Sequence, residues 1–375
     1  MVDVPAEVLV VGAGIVGLAI ARELGQAGVA VAVLEREGIG AGASGVQPGG
    51  VRRQWGTTVN CRLASESFAF WQTAEERLGA CVPFGFRTCG YLFTAHSQAV
   101  LDRLAAGVQL QQAEGVPSRI VAAAEAAALV PGLDPSSLAG AAWCATDGYF
   151  DQPQSVVEAY AHGVQVVPAE VARLEADGAG WVAVLHDGGR RRADAVVVAA
   201  GVATPGLVRP LGTELPIEPE ERFLFLSEPI RERLLDPLVV SAELRFAAKQ
   251  LGNGRVLTSD LSASGDPEAG LPTWRANVRA GIRTLVPALQ YVDLGIVVPG
   301  IYDVTPDRQA ILGPLPGLDG LHVAAGFSGH GFMLAPAVAR VVAGGVLGGE
   351  ADPALAVLDA ARFGEDRLVP EPAIV

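Results

Sequence analysis

Lysine is all but missing from this chain: Lys249 is its single example, and every other fixed cation is an arginine. A mechanism that needs a side-chain amine therefore has one residue to call on. The four cysteines, Cys61, Cys81, Cys89 and Cys144, include no CxxC pair, and there are only five histidines. That excludes a zinc cluster, leaves no metal site to propose, and reads as free thiols in a reducing, cytoplasmic setting. Positive charge is scarce as well. A net charge of −14 with no Lys/Arg stripe excludes nucleic acid and anionic membrane surfaces as partners. Long apolar runs are lacking: Val8 to Ala21 is broken by Gly12, Gly14 and Gly17 and follows an acidic Met1–Glu7 segment. It is read as neither a signal peptide nor a membrane span.

What the chain has is apolar mass and length. Half of its 375 residues are apolar, enough for a large interior divided between two packed domains. Val8–Val11 is an aliphatic strand, Ile15–Ala27 has helical spacing, Gly28 stops it, and Val29–Leu34 is a second strand, which together make a βαβ opening. A glycine-dense loop covers Gly38–Gly50, and helical periodicity resumes from Thr58 to Leu78. Between Phe84 and Trp143, strand pieces such as Tyr91–Phe93 mix with Ala-rich helical pieces at Ala99–Ala106 and Ala122–Val130. A helix at Gln154–Ala161 and strands at Val164–Val167, Trp181–Leu185 and Ala195–Ala199 return the chain to the first domain. A helix is predicted at Trp274–Leu285. The close is a strand at Leu321–Ala325, a turn at Gly326–Gly331 and a helix at Met333–Val346, with a loosely fixed tail after Phe363.

The expected fold class is α/β: a Rossmann-like nucleotide domain interleaved with an α+β substrate domain on a mainly antiparallel sheet. Residues 1–83, 145–215 and 299–363 are assigned to the first domain, 84–144 and 216–298 to the second.

Gly12-Ala13-Gly14-Ile15-Val16-Gly17 satisfies GxGxxG between a strand and a helix, where small residues let backbone amides approach a pyrophosphate. Glu35 ends the second strand eighteen residues after Gly17, the place for a carboxylate that binds an adenosine ribose, with Arg36 beside it. The pattern fits FAD and NAD alike, since both carry an ADP half. The small-residue loop Gly40–Gly45, followed by Gly49-Gly50-Val51-Arg52, suits chain that wraps a longer cofactor.

These segments, together with Val197-Val198-Ala199-Ala200-Gly201 and Gly326-Phe327-Ser328-Gly329-His330-Gly331-Phe332, resemble the D-amino-acid oxidase family of flavoproteins. The resemblance is strongest to its sarcosine oxidase, glycine oxidase and amino-acid dehydrogenase β-subunit branch, and runs from about residue 7 to about residue 348. It implies non-covalent FAD. Gly12, Gly14, Ile15, Val16, Gly17, Glu35, Arg36, Ala43, Ser44, Gly45, Gly49 and Gly50 would line one end of the cofactor. Val171 would meet the adenine, Ala200 and Gly201 would pass beside it, and Gly329, His330, Gly331, Phe332 and Met333 would face the flavin pyrimidine. The late turn opens a helix, whose amino end favours negative charge on a reduced flavin.

By the same resemblance, the reaction is oxidation of a C–N bond in a small amine or amino acid to an imine, by hydride transfer to flavin N5. Oxygen or another acceptor would take the electrons onward. Arg52 would pair with a substrate carboxylate, and Tyr302, His330 and Met333 would complete the site. The alternative is an FAD-binding β subunit that relays electrons to partner chains, and assembly with identical or different chains is left open. Sarcosine oxidases have a flavin-linking cysteine where this chain has Gly300, a carboxylate-binding lysine at Met333, and an oxygen-activating lysine near Leu257. Glycine oxidases have an arginine at Tyr302. Lys249, several residues from Leu257, is expected to be a solvated strand end.

Overall fold

The structure is a computed structural model and describes residues 6–350 and 352–372, so the first five residues of the acidic Met1–Glu7 segment lie outside it. The opening βαβ unit seeds a six-stranded sheet. Its order is Ile311–Pro314, Leu321–Ala325, Ala195–Val198, Val8–Val11, Val31–Glu35 and Val166–Pro168. All neighbours are parallel except the Ile311–Pro314 edge. Central strands are apolar along their whole length because both faces are covered. Val8 and Val10 point into a cluster formed with helices Ile15–Gln26 and Gly331–Val346. Leu9 and Val11 point the other way, into a cluster shared with the antiparallel strands Val171–Asp177, Gly180–Leu185 and Arg190–Ala193. This is the period-two alternation of a strand.

An eight-stranded sheet forms the second layer, in the order Ile296–Val304, Glu218–Leu226, Val256–Asp260, Phe246–Gln250, Leu238–Ser241, Tyr91–Ala95, Gly140–Cys144 and Arg119–Val121. Only the Leu238–Ser241/Tyr91–Ala95 contact is parallel. Helix Pro267–Leu285 covers its outer face, packing Trp274 and Ile282 against Phe223, Phe225, Val239 and Phe246. The opposite face carries Tyr91, Phe93, Leu238 and Val240 and looks toward the glycine loop. A small sheet, Gly50–Val51 with Gly148–Phe150 and Phe86–Arg87, sits at the junction.

Several expected elements take different bounds. The Thr58–Leu78 helix is two helices, Thr58–Trp71 and Ala74–Leu78, separated where Thr73 leaves helical geometry. The Trp274–Leu285 helix begins earlier, at Pro267, because Asp266 accepts the Glu268 amide at 3.0 Å and proline suits the first helical position. Its first turns are mostly exposed, so apolar periodicity could not mark them. The loop Gly38–Gly50 contains a helical turn at Ala43–Val46, and the final long helix starts at Gly331.

Two expectations are overturned. The segment after Phe363 is pinned: Glu371 is 5% exposed, with its carboxylate bonded to Gly56, Thr57 and Asn60. Lys249 is 1% exposed in the middle of the large sheet. All four cysteines are free thiols, and no described helix is long and apolar enough to cross a membrane.

Candidate active site

The first turn is built for close approach. Gly12 has φ +106°, and a Cβ there would lie 2.5 Å from the Ala199 carbonyl oxygen; one on Gly17 would overlap the Gly12 carbonyl. Helix Ile15–Gln26 starts at Gly14 with no side-chain cap from that residue and no acid in its first turn. Ser44 Oγ accepts the Ile15 amide at 3.0 Å, which folds the Ala43–Val46 turn over the helix start. The Gly40 amide bonds the Ala13 carbonyl at 2.9 Å. Gly45 packs on Gly40, where a Cβ would reach the carbonyl oxygen at 2.5 Å. Glu35 Oε2 accepts the Ala13 amide at 2.7 Å and its Oε1 the Glu37 amide at 2.7 Å, which fixes the carboxylate at the strand end. Together these features make a small-residue cradle with one positive helix end and one fixed acid, and they suit a dinucleotide's diphosphate and ribose.

The late turn lies against this cradle. A Cβ on Gly331 would stand 3.4 Å from Val16 Cγ2, and one on Gly329 would overlap the Tyr302 ring. Ser328, at φ +50°, and Gly329, at φ +89°, turn the chain into helix Gly331–Val346, which has no acid in its first turn. The Ile296–Val304 strand bridges the two turns: Tyr302 meets Gly329, and a Cβ on Gly300 would come 3.0 Å from Val46 Cγ2.

Arg52 reaches this junction from the glycine loop. Its guanidinium is 1% exposed and donates to the Gln54 carbonyl. It lies 3.9 Å over the Trp55 ring and 5.4 Å from the Phe93 ring. Burial lowers its pKa, while Tyr91, Glu371 and Asp147 act to raise it. Arg52 Nη2 is 3.4 Å from His330 Nε2. A guanidinium only donates, so Nε2 is the acceptor and the ring proton belongs on Nδ1. Burial, reinforced by the Arg52 charge, holds His330 far below its ordinary pKa and therefore neutral. Its Nδ1 is buried with no hydrogen-bond partner among the described residues, a donor suited to an acceptor atom on a bound molecule.

The other sequence-predicted residues occupy distinct parts of this frame. Ala200 and Gly201 follow the strand beside Val8–Val11, against Gly12. Val171 opens the strand just past Pro168, next to the Glu35 strand end, where Arg36 and Glu170 stand 3.9 Å apart. Gly49 and Gly50 sit below the large sheet, Gly50 facing Tyr91 and Leu238. Phe332 stacks on Trp71 at 5.6 Å, and the Met333 carbonyl accepts the Trp71 indole N–H at 2.9 Å. Both residues belong to the core cluster beneath the turn. Burial raises the Tyr302 phenol, and Arg222 stands 5.6 Å over its ring. Lys249 is the direct cross-strand partner of Leu257, so the amine shares that sheet face after all.

Sequence reasoning missed Trp55, Tyr91, Phe93 and Glu371. The alternation of Tyr91 and Phe93 marked a strand but not which face met the site. Trp55, three residues beyond Arg52, was the one local signal available, an aromatic beside a cation.

The family profile described as DAO, FAD dependent oxidoreductase, matches residues 7–344. Glycine oxidase of Pseudomonas aeruginosa is 29% identical over 349 residues, covering 90% of this chain and 93% of that protein. FAD-dependent oxidoreductase domain-containing protein 1 of Bos taurus is 27% identical, covering 92% and 82%. 4-Methylaminobutanoate oxidase (formaldehyde-forming) of Paenarthrobacter nicotinovorans is 27% identical over 95% of this chain, which spans only 45% of that longer protein. Among solved structures, L-proline dehydrogenase from P. horikoshii superposes with a TM-score of 0.90 at 27% identity, covering 98% of this chain and 100% of that one.

Proposed function

The chain belongs to the DAO family of FAD-dependent oxidoreductases, and from that premise we propose that it oxidises the C–N bond of a small amine or amino acid to an imine. When bound, FAD would supply the electron sink for the hydride equivalent that leaves the carbon beside nitrogen. Gly12, Gly14, Gly17, Glu35, Ser44 and Gly45 would hold its ADP half, and the turn Gly329–Met333 its ring end.

The protein's own part is to bind and orient. Arg52 takes the substrate carboxylate in a charge-assisted, two-toothed pair. Trp55 and Phe93 hold the guanidinium so that little rotamer freedom is lost on binding. His330, neutral and protonated on Nδ1, donates a hydrogen bond without adding a second charge. Tyr302, supported by Gly329 and Arg222, closes one side, and Tyr91 and Phe93 form an apolar wall that excludes water. No side-chain base is required: the amine reacts as its neutral form.

The observation that carries this reading is the buried Arg52 guanidinium in contact with His330 at the start of the late helix. The names of the relatives support an amine or amino acid as the substrate class. The test is anaerobic mixing of the FAD-loaded chain with glycine, N-methylglycine, L-proline and D-alanine. Bleaching of the flavin band by at least one is expected, and a flavin that none of them reduces would overturn the reading. Admitting air then tells whether oxygen reoxidises it. Arg52→Ala raises KM for the carboxylate substrate by about tenfold or more.

A further inference from the structure

The segment after Phe363 doubles back to the site. Arg362, fully buried, pairs with both oxygens of Asp307 at 2.8 and 3.1 Å, and the Asp307 carbonyl accepts the Glu371 amide at 3.0 Å. These anchors deliver Glu371 to the start of helix Thr58–Trp71. Thr57, at the N-cap, makes no side-chain capping bond of its own. Glu371 Oε1 accepts the Gly56 amide at 2.7 Å, and Oε2 accepts Thr57 Oγ1 at 2.8 Å and Asn60 Nδ2 at 2.9 Å. Gly56 is held tightly: a Cβ there would overlap Pro372 and approach Glu371 Oε1 to 2.8 Å.

The residue before Gly56 is Trp55, the platform of the site. Its indole N–H donates to the Arg52 carbonyl at 3.1 Å, its ring lies under the Arg52 guanidinium, and its edge meets His330 with centroids 4.7 Å apart. Gln111 fixes the Trp55 carbonyl from the other side at 3.0 Å. The Glu371 negative charge also acts on Arg52 through space.

We propose that Glu371 is a positioning residue, and that residues 364–372 form a strap that sets the Trp55 platform and, through it, the direction of Arg52. The inference rests on the reading of Arg52 as the carboxylate anchor. Without Glu371, the Gly56 amide and the Thr57 hydroxyl lose the acceptor that Glu371 provides while Asn60 keeps Gln309, the 55–57 corner loosens, and the guanidinium regains alternative rotamers. The cost falls on binding of the substrate carboxylate and spares the chemical step.

The experiment compares full-length, FAD-loaded wild type with Glu371→Ala and Glu371→Gln. Gln keeps the shape and one accepting oxygen while removing the charge, and it serves if the Ala variant folds poorly. Deuterium exchange is expected to rise in the peptide spanning residues 52–60 in the Ala variant and to be partly restored in the Gln variant. With the amino acid that bleaches the flavin, KM rises about fivefold while kcat stays within about twofold. The matching amine without a carboxylate shows no such change. Wild-type exchange at residues 52–60 overturns the strap, as does a loss of thermal stability with unchanged KM. An Arg52→Ala variant with unchanged KM overturns instead the reading on which the strap depends. If Arg52→Ala raises KM and Glu371→Ala does not, the strap alone is wrong. If no amino acid bleaches the flavin, the proposed function has failed and the exchange result decides the strap.

Discussion

Replacing Lys249 by methionine is expected to stabilise the folded protein in a strongly pH-dependent way. The Lys249 ammonium lies in the Phe246–Gln250 strand, 1% exposed, donating to the Pro48 carbonyl and 4.2 Å over the Tyr149 ring. Burial lowers its pKa to about 7, with Asp151 and Cys89 pulling weakly the other way. In the unfolded chain the same group titrates near ~10.4. Between those values the unfolded state holds a proton that the folded state has released. This group's contribution to stability therefore rises with pH by up to ~1.4 kcal/mol per unit. The full penalty, present below pH 7, is on the order of 5 kcal/mol. Methionine keeps the stem, removes the titration, and gives up the bond to Pro48. The advantage of the variant over wild type is therefore largest near neutrality and shrinks as the pH rises. The thiols work oppositely in both proteins. Burial pushes Cys61 up to about 12 and Cys144 to about 11, so the unfolded state sheds those protons first and stability falls with pH. That trend cancels in the difference between variant and wild type. Urea unfolding at fixed FAD concentration, at about pH 7, 8 and 9, measures it. A difference that stays flat across those conditions would refute the assignment of a displaced proton to Lys249.

Gly12→Ala drives a Cβ toward the Ala199 carbonyl from a backbone at φ +106°, and should cut FAD retention about tenfold or more, read as flavin absorbance per protein after gel filtration. Gly329→Ala collides with the Tyr302 ring from a backbone at φ +89°, and is expected to lower kcat/KM by about tenfold and to weaken FAD retention with it, checked by spectrum and steady-state rates on one sample. Arg362→Met leaves Asp307 buried without its cation and should cost ~3–5 kcal/mol in urea unfolding. Burial works to raise the Asp307 carboxyl, but Arg362 outweighs it and holds the pKa below the usual range. Its stabilising contribution is therefore complete above about pH 4 and lost as the pH falls through the lower folded value. Asp307→Asn is expected to flatten that part of the acid limb.

The small-residue cradle was legible because its signals are local. Gly12, Gly14 and Gly17 sit between a strand and a helix, Glu35 closes the next strand, and the late Gly326–Gly331 turn carries its own glycines. The platform around Arg52 was legible only in part. Trp55 is close to Arg52 in sequence, but His330 meets it from 278 residues away, and Glu371 reaches Asn60 across 311. Contacts of that range leave no periodicity to read. The segment after Phe363 looked loose because it has no helical or strand pattern; it is held instead by one buried ion pair and one carboxylate. Lys249 was misjudged for a related reason. Its neighbour Leu257 is close across the sheet, and only the register of two antiparallel strands reveals that.

The most direct measurement is a crystal structure of the FAD-loaded protein soaked with a carboxylate-bearing substrate analogue. The expected density places the diphosphate on the Gly12–Gly17 turn, the flavin ring at Gly329–Met333, and the analogue's carboxylate on the Arg52 guanidinium within hydrogen-bond distance of two of its three nitrogens. Flavin density away from the late turn, or an analogue bound with Arg52 directed elsewhere, would contradict it.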